Sequence, residues 1–144
     1  MRVQQILKGK GSGEVETVPP GTKIRDVIAT LAAKGIGALV VSRDGVGIDG
    51  ILSERDVVRE LAARGAECLA ETVDTFMTRD PVTVTLTAES DEVFRTMTEG
   101  RFRHLPVVDG GKMVGLISIG DVVKARLAEL SMEKDALQGM IMGH

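Results

Sequence analysis

Residues 50–58 of the chain read GILSERDVV and residues 115–123 read GLISIGDVV, so one motif occurs twice, 65 residues apart. The match continues upstream at a spacing of 66 residues, where Thr17-Val18 corresponds to Thr83-Val84. The first copy therefore has one extra residue, which is expected in a turn because insertions collect in surface loops. The sequence is thus predicted to be an internal repeat, and this repeat decides the fold.

Each copy has the hydrophobic pattern of a β-α-β-β-α unit. Ile24, Val27, Ile28 and Leu31 follow helical spacing in the first copy. In both copies an Asp-Gly turn signal comes after the next apolar run, as in a hairpin. A unit of about 50–60 residues buries only a marginal core, so the two units are expected to pack as one body. The predicted fold class is α/β (α+β), with tandem pseudo-symmetric β-α-β-β-α repeats.

Helix ends and boundaries follow from the same pattern. Thr22 and Ser90 are predicted N-caps, and Gly35 and Gly100 are predicted C-caps. The first few residues are predicted to be a helical lead-in to the first repeat. The predicted divisions are a first repeat at 1–64, a linker at 65–75, a second repeat at 76–130 and a helical tail with an apolar face at 131–144.

Composition and charge exclude several classes of protein. The net charge is −3 and the pI is near 5.4, whereas nucleic-acid binders usually carry a basic patch. No apolar run approaches the ~20 residues that cross a bilayer, and the first residues lack a signal-peptide core. The lone Cys68 excludes an internal disulfide and fits a reducing compartment. We expect a cytoplasmic protein with no metal site and no nucleic-acid or membrane partner.

The repeated Ser-x-x-Asp lies where a buried strand is expected to run into a helix. Free backbone N–H groups and the positive end of the helix dipole favour an anion there. Ser53 and Ser118 can cap the helix or donate to a phosphate oxygen. Asp56 and Asp121, one turn later, can accept hydrogen bonds from a ribose diol. The same residues also fit a capping box, which is a purely structural role.

Cationic residues surround the motif unequally. Arg101, Arg103 and His104 precede the second hairpin, where they are expected to converge on the second copy's strand-to-helix turn and hold phosphates. The corresponding first-copy positions carry no charge. Arg55, inside the first motif, is that copy's candidate cation. The second copy is therefore predicted to bind phosphates more tightly.

Two such units, with RHLPVVD at 103–109 in the second, resemble a pair of CBS domains, the Bateman module. The resemblance covers about residues 1–130. It implies a stand-alone regulatory protein whose two α/β units pack through their sheets. It also implies clefts between the units that bind adenosine-containing ligands such as AMP, ADP, ATP, NAD or S-adenosylmethionine. Such an adenine nucleotide would act as a regulatory ligand, without any catalytic cofactor.

The resemblance also assigns roles to individual positions. Asp56 and Asp121 would bind ribose, and Ser53 and Ser118 would lie near the phosphate, which Arg103 and His104 would face. The adenine slot is expected to use backbone and small apolar groups from the first strand of each repeat. The residues around these strands are Thr17, Val18, Thr83 and Val84.

Two other functions compete with ligand sensing. Catalysis is not expected, because the chain has only two histidines, no nucleophile elbow and no phosphate-binding loop motif. A structural or protein-interaction module with non-functional clefts stays open, since a capping box explains each Ser-x-x-Asp. In either case a homodimer is expected, and a regulated protein partner that the sequence does not identify.

Overall fold

The computed structural model describes residues 1–11 and 14–142 as five α-helices, seven strands and two 3₁₀ turns within those ranges. The first part comprises α1 (Val3–Gly9), β1 (Thr17–Val18), α2 (Ile24–Lys34), β2 (Ala38–Val41), β3 (Gly50–Ser53), α3 (Glu54–Arg64) and the 3₁₀ turns Ala66–Ala70 and Val73–Thr75. The second part comprises β4 (Thr78–Arg79), β5 (Val84–Thr85), α4 (Ser90–Gly100), β6 (His104–Asp109), β7 (Lys112–Ser118) and α5 (Ile119–Ile141).

The strands form two small mixed sheets, in the order β1-β2-β3-β4 and β5-β6-β7. In each sheet the first strand is parallel to the second, and the second and third form an antiparallel hairpin. A hydrogen bond from the Met113 N–H to the Val46 carbonyl, 3.0 Å long, joins the two hairpins. The predicted fold class, a tandem pair of β-α-β-β-α units, is confirmed.

Each sheet is covered by its own helices, and each repeat has its own core. The helical series in α2 buries Ile24, Val27 and Leu31 against Leu39 and Leu52. The second core contains the equivalent Val93, Met97, Leu105 and Ile117. Each such buried side chain contributes roughly 1.5–3 kcal/mol to stability.

Helix α1 packs on the second repeat, so the predicted lead-in to the first repeat is wrong. Val3 and Ile6 are buried in the second core. The Val3 N–H donates to the Ala88 carbonyl and the Ser90 N–H to the Met1 carbonyl, at 2.9 and 2.8 Å. These long-range contacts leave no trace in the local pattern of the first few residues.

The predicted N-cap Thr22 lies one residue before the observed N-cap, and the predicted N-cap Ser90 lies one residue after it. The N-caps are Lys23 and Glu89, neither of which caps through its side chain. Ser90 is instead the first residue of α4 and is buried, and its hydroxyl donates to Glu129 Oε1 at 3.2 Å. Thr22 donates to the Pro19 carbonyl at 2.7 Å.

The two predicted C-caps have different outcomes. Gly35 is the C-cap of α2, with the left-handed φ of 61°. Gly100 is still helical, and Arg101 takes the left-handed position with φ 58°. A Cβ on Gly100 would lie 2.1 Å from the Phe102 ring, so close packing requires glycine at this position.

Helix α5 continues through residue 130 without a break to Ile141, because residues 121–138 contain neither glycine nor proline. Met132, Leu137, Met140 and Ile141 lie on it and are each more than half exposed. Residues 143 and 144 of the predicted tail lie outside the described residues. No helix in the described part of the chain is long and apolar enough to cross a membrane.

Residues 65–75, predicted as a linker, contain the two 3₁₀ turns. Cys68 and Val73 from this segment are buried in the first core. The backbone also pairs at Lys23 and Thr72. The segment is therefore packed against the first repeat along much of its length.

Candidate functional site

Two clefts of about 530 Å³ each lie between the repeats. We call the first the arginine cleft. Its polar wall consists of Ser53, Arg55, Asp56 and Arg59 from the first repeat and Arg101, Arg103 and His104 from the second. We call the second the mixed-charge cleft. Its polar wall includes Lys10, Glu14, Glu16, Lys34, His104 and Ser118.

The Ser-x-x-Asp motifs form capping boxes in both copies. The Ser53 N–H donates to Asp56 Oδ2 at 2.9 Å, and the Asp56 N–H donates to Ser53 Oγ at 3.4 Å. The corresponding distances for Ser118 and Asp121 are 2.8 and 3.1 Å. The boxes hold both carboxylates at the N-terminus of a helix, where the backbone also favours an anion.

Each carboxylate also has a cationic partner, which lies on the oxygen outside the cap in Asp56 and on the capping oxygen in Asp121. Asp56 Oδ1 accepts a hydrogen bond from Arg59 Nη2, and the Arg59 side chain is 68% exposed. Asp121 Oδ2 accepts from Lys10 Nζ at 2.8 Å. Burial alone would raise the pKa of the Asp121 carboxyl, but hydrogen bonds from Lys10 and Ser118 outweigh burial and hold the pKa below its ordinary value.

Lys10 separates Asp121 from the mixed-charge cleft. Its Nζ also donates to the Leu116 carbonyl at 2.8 Å, which fixes the ammonium between the cleft and the carboxylate. Ser118 lines the cleft, whereas Asp121 lines a neighbouring depression together with Lys124. Of the second motif's two predicted site residues, the structure therefore places one in the cleft wall.

The arginine cleft combines parts of both repeats in a way that the sequence does not indicate. Arg103 and His104 line the cleft that contains Ser53 and Asp56. The Arg103 carbonyl accepts from the Ile119 N–H at 2.8 Å, and His104 pairs with Ser118 in the β6–β7 hairpin and lines the mixed-charge cleft with it. The predicted position beside the second copy's turn therefore fits His104, whereas Arg101 and Arg103 line the arginine cleft together with the first copy's Ser53 and Asp56.

Three of the four guanidiniums in the arginine cleft have no carboxylate partner among residues 1–11 and 14–142. Arg55, Arg101 and Arg103 form no ion pair there, whereas Arg59 contacts Asp56. Arginine is charged at all physiological pH values and binds phosphate oxygens through two N–H groups at once. The cleft thus presents several free donors to an anion.

His104 lines both clefts at the junction of the repeats. Its ring lies over Gly37, so that a Cβ on Gly37 would be 3.4 Å from Cε1 and Nε2. Burial lowers the pKa of His104, helped by nearby Lys10 and Arg103, while Glu54 and Asp121 act in the opposite direction. The imidazole is therefore neutral at pH 7.

The residues predicted for the adenine slots are not among the cleft linings. Thr17 and Val18 pair with β2, and Val18 is buried in the first core. Val84 packs against the second core, and Thr83, next to it, is exposed. These residues belong to strands β1 and β5 or lie beside them, and Val18 and Val84 pack against the two cores.

Their upstream neighbours line the clefts in their place. Pro81 and Val82 line the arginine cleft, and Val15 and Glu16 line the mixed-charge cleft. These pairs correspond at the repeat spacing of 66 residues, and that correspondence is the sequence signal that could have identified them. Within the described residues, no cluster of three potential metal ligands occurs.

Comparison with known proteins identifies relatives of the whole chain. The model of the CBS domain family matches residues 12–63 and 73–128. The structure of a putative signal-transduction protein with CBS domains from Burkholderia ambifaria is 45% identical, with a TM-score of 0.83 over 89% of this chain and 95% of that one. The structure of CBSX2 in complex with AMP is 30% identical, with a TM-score of 0.67 over 79% of this chain and 88% of that one.

Curated relatives include longer proteins. The mitochondrial CBS domain-containing protein CBSX3 from Arabidopsis thaliana is 30% identical over 98% of this chain and 72% of its own length. The chain spans only 22% to 26% of the length of four further Arabidopsis relatives. These comparisons confirm the resemblance that the repeated motif indicates.

Proposed function

The chain belongs to the CBS domain family, and on that premise we propose that it is a regulatory module that binds an adenosine-containing nucleotide in the arginine cleft. The observation that carries the proposal is a set of three guanidiniums beside the Ser53–Asp56 helix start, those of Arg55, Arg101 and Arg103, which form no ion pair with any of the described residues. The relative whose structure contains AMP supports the choice of ligand class. A volume of about 530 Å³ lies within the range of about 300–1,000 Å³ that is typical of small-molecule sites.

In this proposal Asp56 binds the ribose. Its carboxylate is held by the capping box, and Oδ1 accepts from the exposed Arg59. An exposed ion pair of this kind contributes only about 0–1 kcal/mol. A ribose diol can therefore replace Arg59 at Oδ1 at little cost, and Arg59 is then free to contact a phosphate.

The phosphates bind to the guanidiniums beside the N-terminus of α3, where the positive end of the helix dipole favours an anion. The N–H groups of the first turn are partly used, since Glu54 donates to the Gly37 carbonyl at 2.9 Å and Asp56 donates to Ser53 Oγ. Ser53 Oγ accepts from the Asp56 N–H and donates its proton to Asp56 Oδ2 at 3.0 Å, so the hydroxyl turns away from Asp56 when it donates to a phosphate oxygen. The base packs between Pro81, Val82 and Phe102, which form apolar wall upstream of the predicted slot. The chain then acts by binding, and no catalytic step or catalytic cofactor is required.

Signalling follows from the position of the cleft. Asp56 belongs to the first repeat and Arg103 to the second, so a bound nucleotide links the two repeats. A ligand that favours one relative arrangement of the repeats shifts the population toward it, by at most its difference in affinity for the two states. A protein partner that contacts both repeats could read this shift.

We also propose that the chain is a homodimer. Phe94, Val123 and Leu127 form an exposed apolar depression on α4 and α5. The first repeat has an equivalent depression with Ile28 and Val58. A second copy would cover these faces and the apolar end of α5. Sedimentation equilibrium tests this, because a mass near 15.3 kDa at micromolar concentration would contradict it.

A cytoplasmic location is part of the same proposal. It rests on the net charge and on the single cysteine, Cys68, which is buried and unpaired in the structure. This part can be tested separately by fractionation of cells that express the chain.

One specific observation favours the structural alternative. Both Ser-x-x-Asp motifs form capping boxes, and each carboxylate also pairs with a cation, Asp56 with Arg59 and Asp121 with Lys10. Thermal melting with millimolar AMP, ADP, ATP, NAD or S-adenosylmethionine separates the two functions. A ligand at a hundredfold excess over its Kd stabilises the native state by about 2.7 kcal/mol. The absence of a shift with every compound would favour the structural module.

A further inference from the structure

The two clefts offer similar space and similar apolar walls. Their volumes are equal at about 530 Å³. Apolar residues correspond at the repeat spacing, with Ile51 and Phe102 in the arginine cleft and Leu116 and Ile36 in the mixed-charge cleft. Size and hydrophobicity therefore do not distinguish the ligands that the two clefts can hold.

The two clefts differ in net charge, which is positive in the arginine cleft and balanced in the mixed-charge cleft. The arginine cleft has four guanidiniums against the single carboxylate of Asp56. The mixed-charge cleft has the ammonium groups of Lys10 and Lys34 against the carboxylates of Glu14 and Glu16, with Asp121 directly behind Lys10. Residues 12 and 13 are Ser and Gly in the sequence, so they add no charge.

Both cations of the mixed-charge cleft are already paired. Lys34 Nζ lies 2.6 Å from Glu16 Oε2, and Lys10 Nζ lies 2.8 Å from Asp121 Oδ2. A phosphate in this cleft would have to break one of these pairs and would then lie beside carboxylates. The negative charges of the phosphate and the carboxylates would repel each other. A neutral or cationic ligand could instead donate hydrogen bonds to the same carboxylate oxygens.

The difference arises at a few equivalent positions of the repeat. Gly37 occupies in the mixed-charge cleft the position that Arg103 occupies in the arginine cleft. In the same way Glu16 corresponds to Val82. At each of these two pairs of positions, one cleft therefore has a charged residue and the other has an uncharged one.

We infer that the two clefts divide adenosine compounds by charge, so that the arginine cleft binds phosphorylated ones and the mixed-charge cleft binds one without phosphates. This inference rests on the proposed function, because it assumes that both clefts accept adenosine. The module then responds to two ligands at once, one anionic and one neutral or cationic.

Calorimetric titrations with ADP and with S-adenosylmethionine, which carries a sulfonium cation, test the inference. We expect the two compounds to bind to the wild-type chain together, each at one site and without competition. Arg103→Gln should lower the affinity for ADP at least tenfold and leave the affinity for S-adenosylmethionine unchanged. The double variant Glu14→Gln, Glu16→Gln should lower the affinity for S-adenosylmethionine at least fivefold and leave the affinity for ADP unchanged.

Arg25→Gln and Glu67→Gln serve as matched controls, because both residues are exposed outside the clefts and should affect neither titration. Competition between the two compounds, or loss of both in one variant, would overturn the inference and leave the proposed function intact. The same holds if ADP binds and S-adenosylmethionine does not. If neither compound binds, the proposed function fails, and the inference fails with it.

Discussion

The arginine cleft and the mixed-charge cleft share one backbone frame and differ in the side chains that line it. In both, a serine and an aspartate form a capping box at the start of a helix that follows a buried strand. In one cleft Arg103 faces the box of the other repeat, and in the other cleft its equivalent is Gly37. The repeated motif therefore provides the frame, and under the proposed function the residues that differ between the repeats determine which ligand each cleft binds.

The largest expected effect on this comparison comes from removing the cation that distinguishes the clefts. Arg103→Gln should lower the affinity for ADP by about 1.5–3 kcal/mol, because a hydrogen bond to a charged group is lost. Adenosine lacks the phosphate that we propose Arg103 binds, so its affinity should not change. Isothermal titration of both ligands checks this prediction, and an equal loss for both would show that Arg103 has a structural role.

The next effect concerns the equivalent helix ends at Gly35 and Arg101, which both have a left-handed backbone. This conformation costs a non-glycine residue about 1–2 kcal/mol, partly offset in Arg101→Gly by the greater flexibility of unfolded glycine. We expect Arg101→Gly to raise the free energy of unfolding by about 0.5–1 kcal/mol. The same variant should bind ADP more weakly. Gly35→Ala should lower the free energy of unfolding by about 1 kcal/mol.

Denaturant unfolding and ADP titration of these two variants provide the measurement. Gly35 is a suitable counterpart, because no atom of the described residues lies within 4 Å of its Cβ position. Destabilisation by Arg101→Gly, or full ADP affinity in that variant, would mean that the strained arginine is not kept for phosphate binding.

A third effect depends on pH through His104, which both clefts share. Its pKa is lower in the folded chain than in the unfolded chain. Just below pH 6.5, the ordinary histidine pKa, the unfolded chain therefore binds a proton that the folded chain does not. Stability should fall as pH drops through this window, and less so in His104→Gln.

Bound ADP should reduce the same slope, because a phosphate near His104 favours the imidazolium. Melting curves between about pH 7.5 and 5.5, with and without ADP, measure both effects. Equal slopes for the wild-type chain and His104→Gln would show that His104 does not titrate in this range.

The smallest effect is expected from Lys10→Met in the mixed-charge cleft. The ion pair with Asp121 is partly exposed, so its loss should cost less than about 1 kcal/mol. Lys10 helps to lower the pKa of Asp121, and a lowered carboxyl pKa gives stability that is lost as pH falls through the folded value. The variant should therefore lose less stability on acidification, which acid titration of unfolding would detect. A steeper acid loss than in the wild-type chain would contradict this role of Lys10.

The local frame could be predicted from the sequence, because it depends on patterns within each repeat. The helical spacing of Ile24, Val27 and Leu31 corresponds to buried positions. The Ser53–Asp56 spacing corresponds to a capping box. Each of these features involves residues that are close in the chain, and their physical cause can be recognised there.

Contacts between the repeats could not be predicted in this way. Arg103 lines the arginine cleft together with residues of the first repeat, and helix α1 packs on the second core through Val3. Nothing in either repeat's own pattern records how the two units are oriented. The left-handed Arg101 was missed for a similar reason, since the close contact of Gly100 with Phe102 arises only in the folded chain.

The most direct test of nucleotide binding in the arginine cleft compares ADP titrations of Asp56→Asn and Asp121→Asn. Both variants retain an oxygen that can accept in the capping box, so the frame should persist in each. Because Asp56 and not Asp121 lines the arginine cleft, Asp56→Asn should lower ADP affinity tenfold or more, or about 1.4 kcal/mol, and Asp121→Asn should leave it unchanged. A loss of ADP affinity in Asp121→Asn, or an unchanged titration in both variants, would contradict nucleotide binding in the arginine cleft.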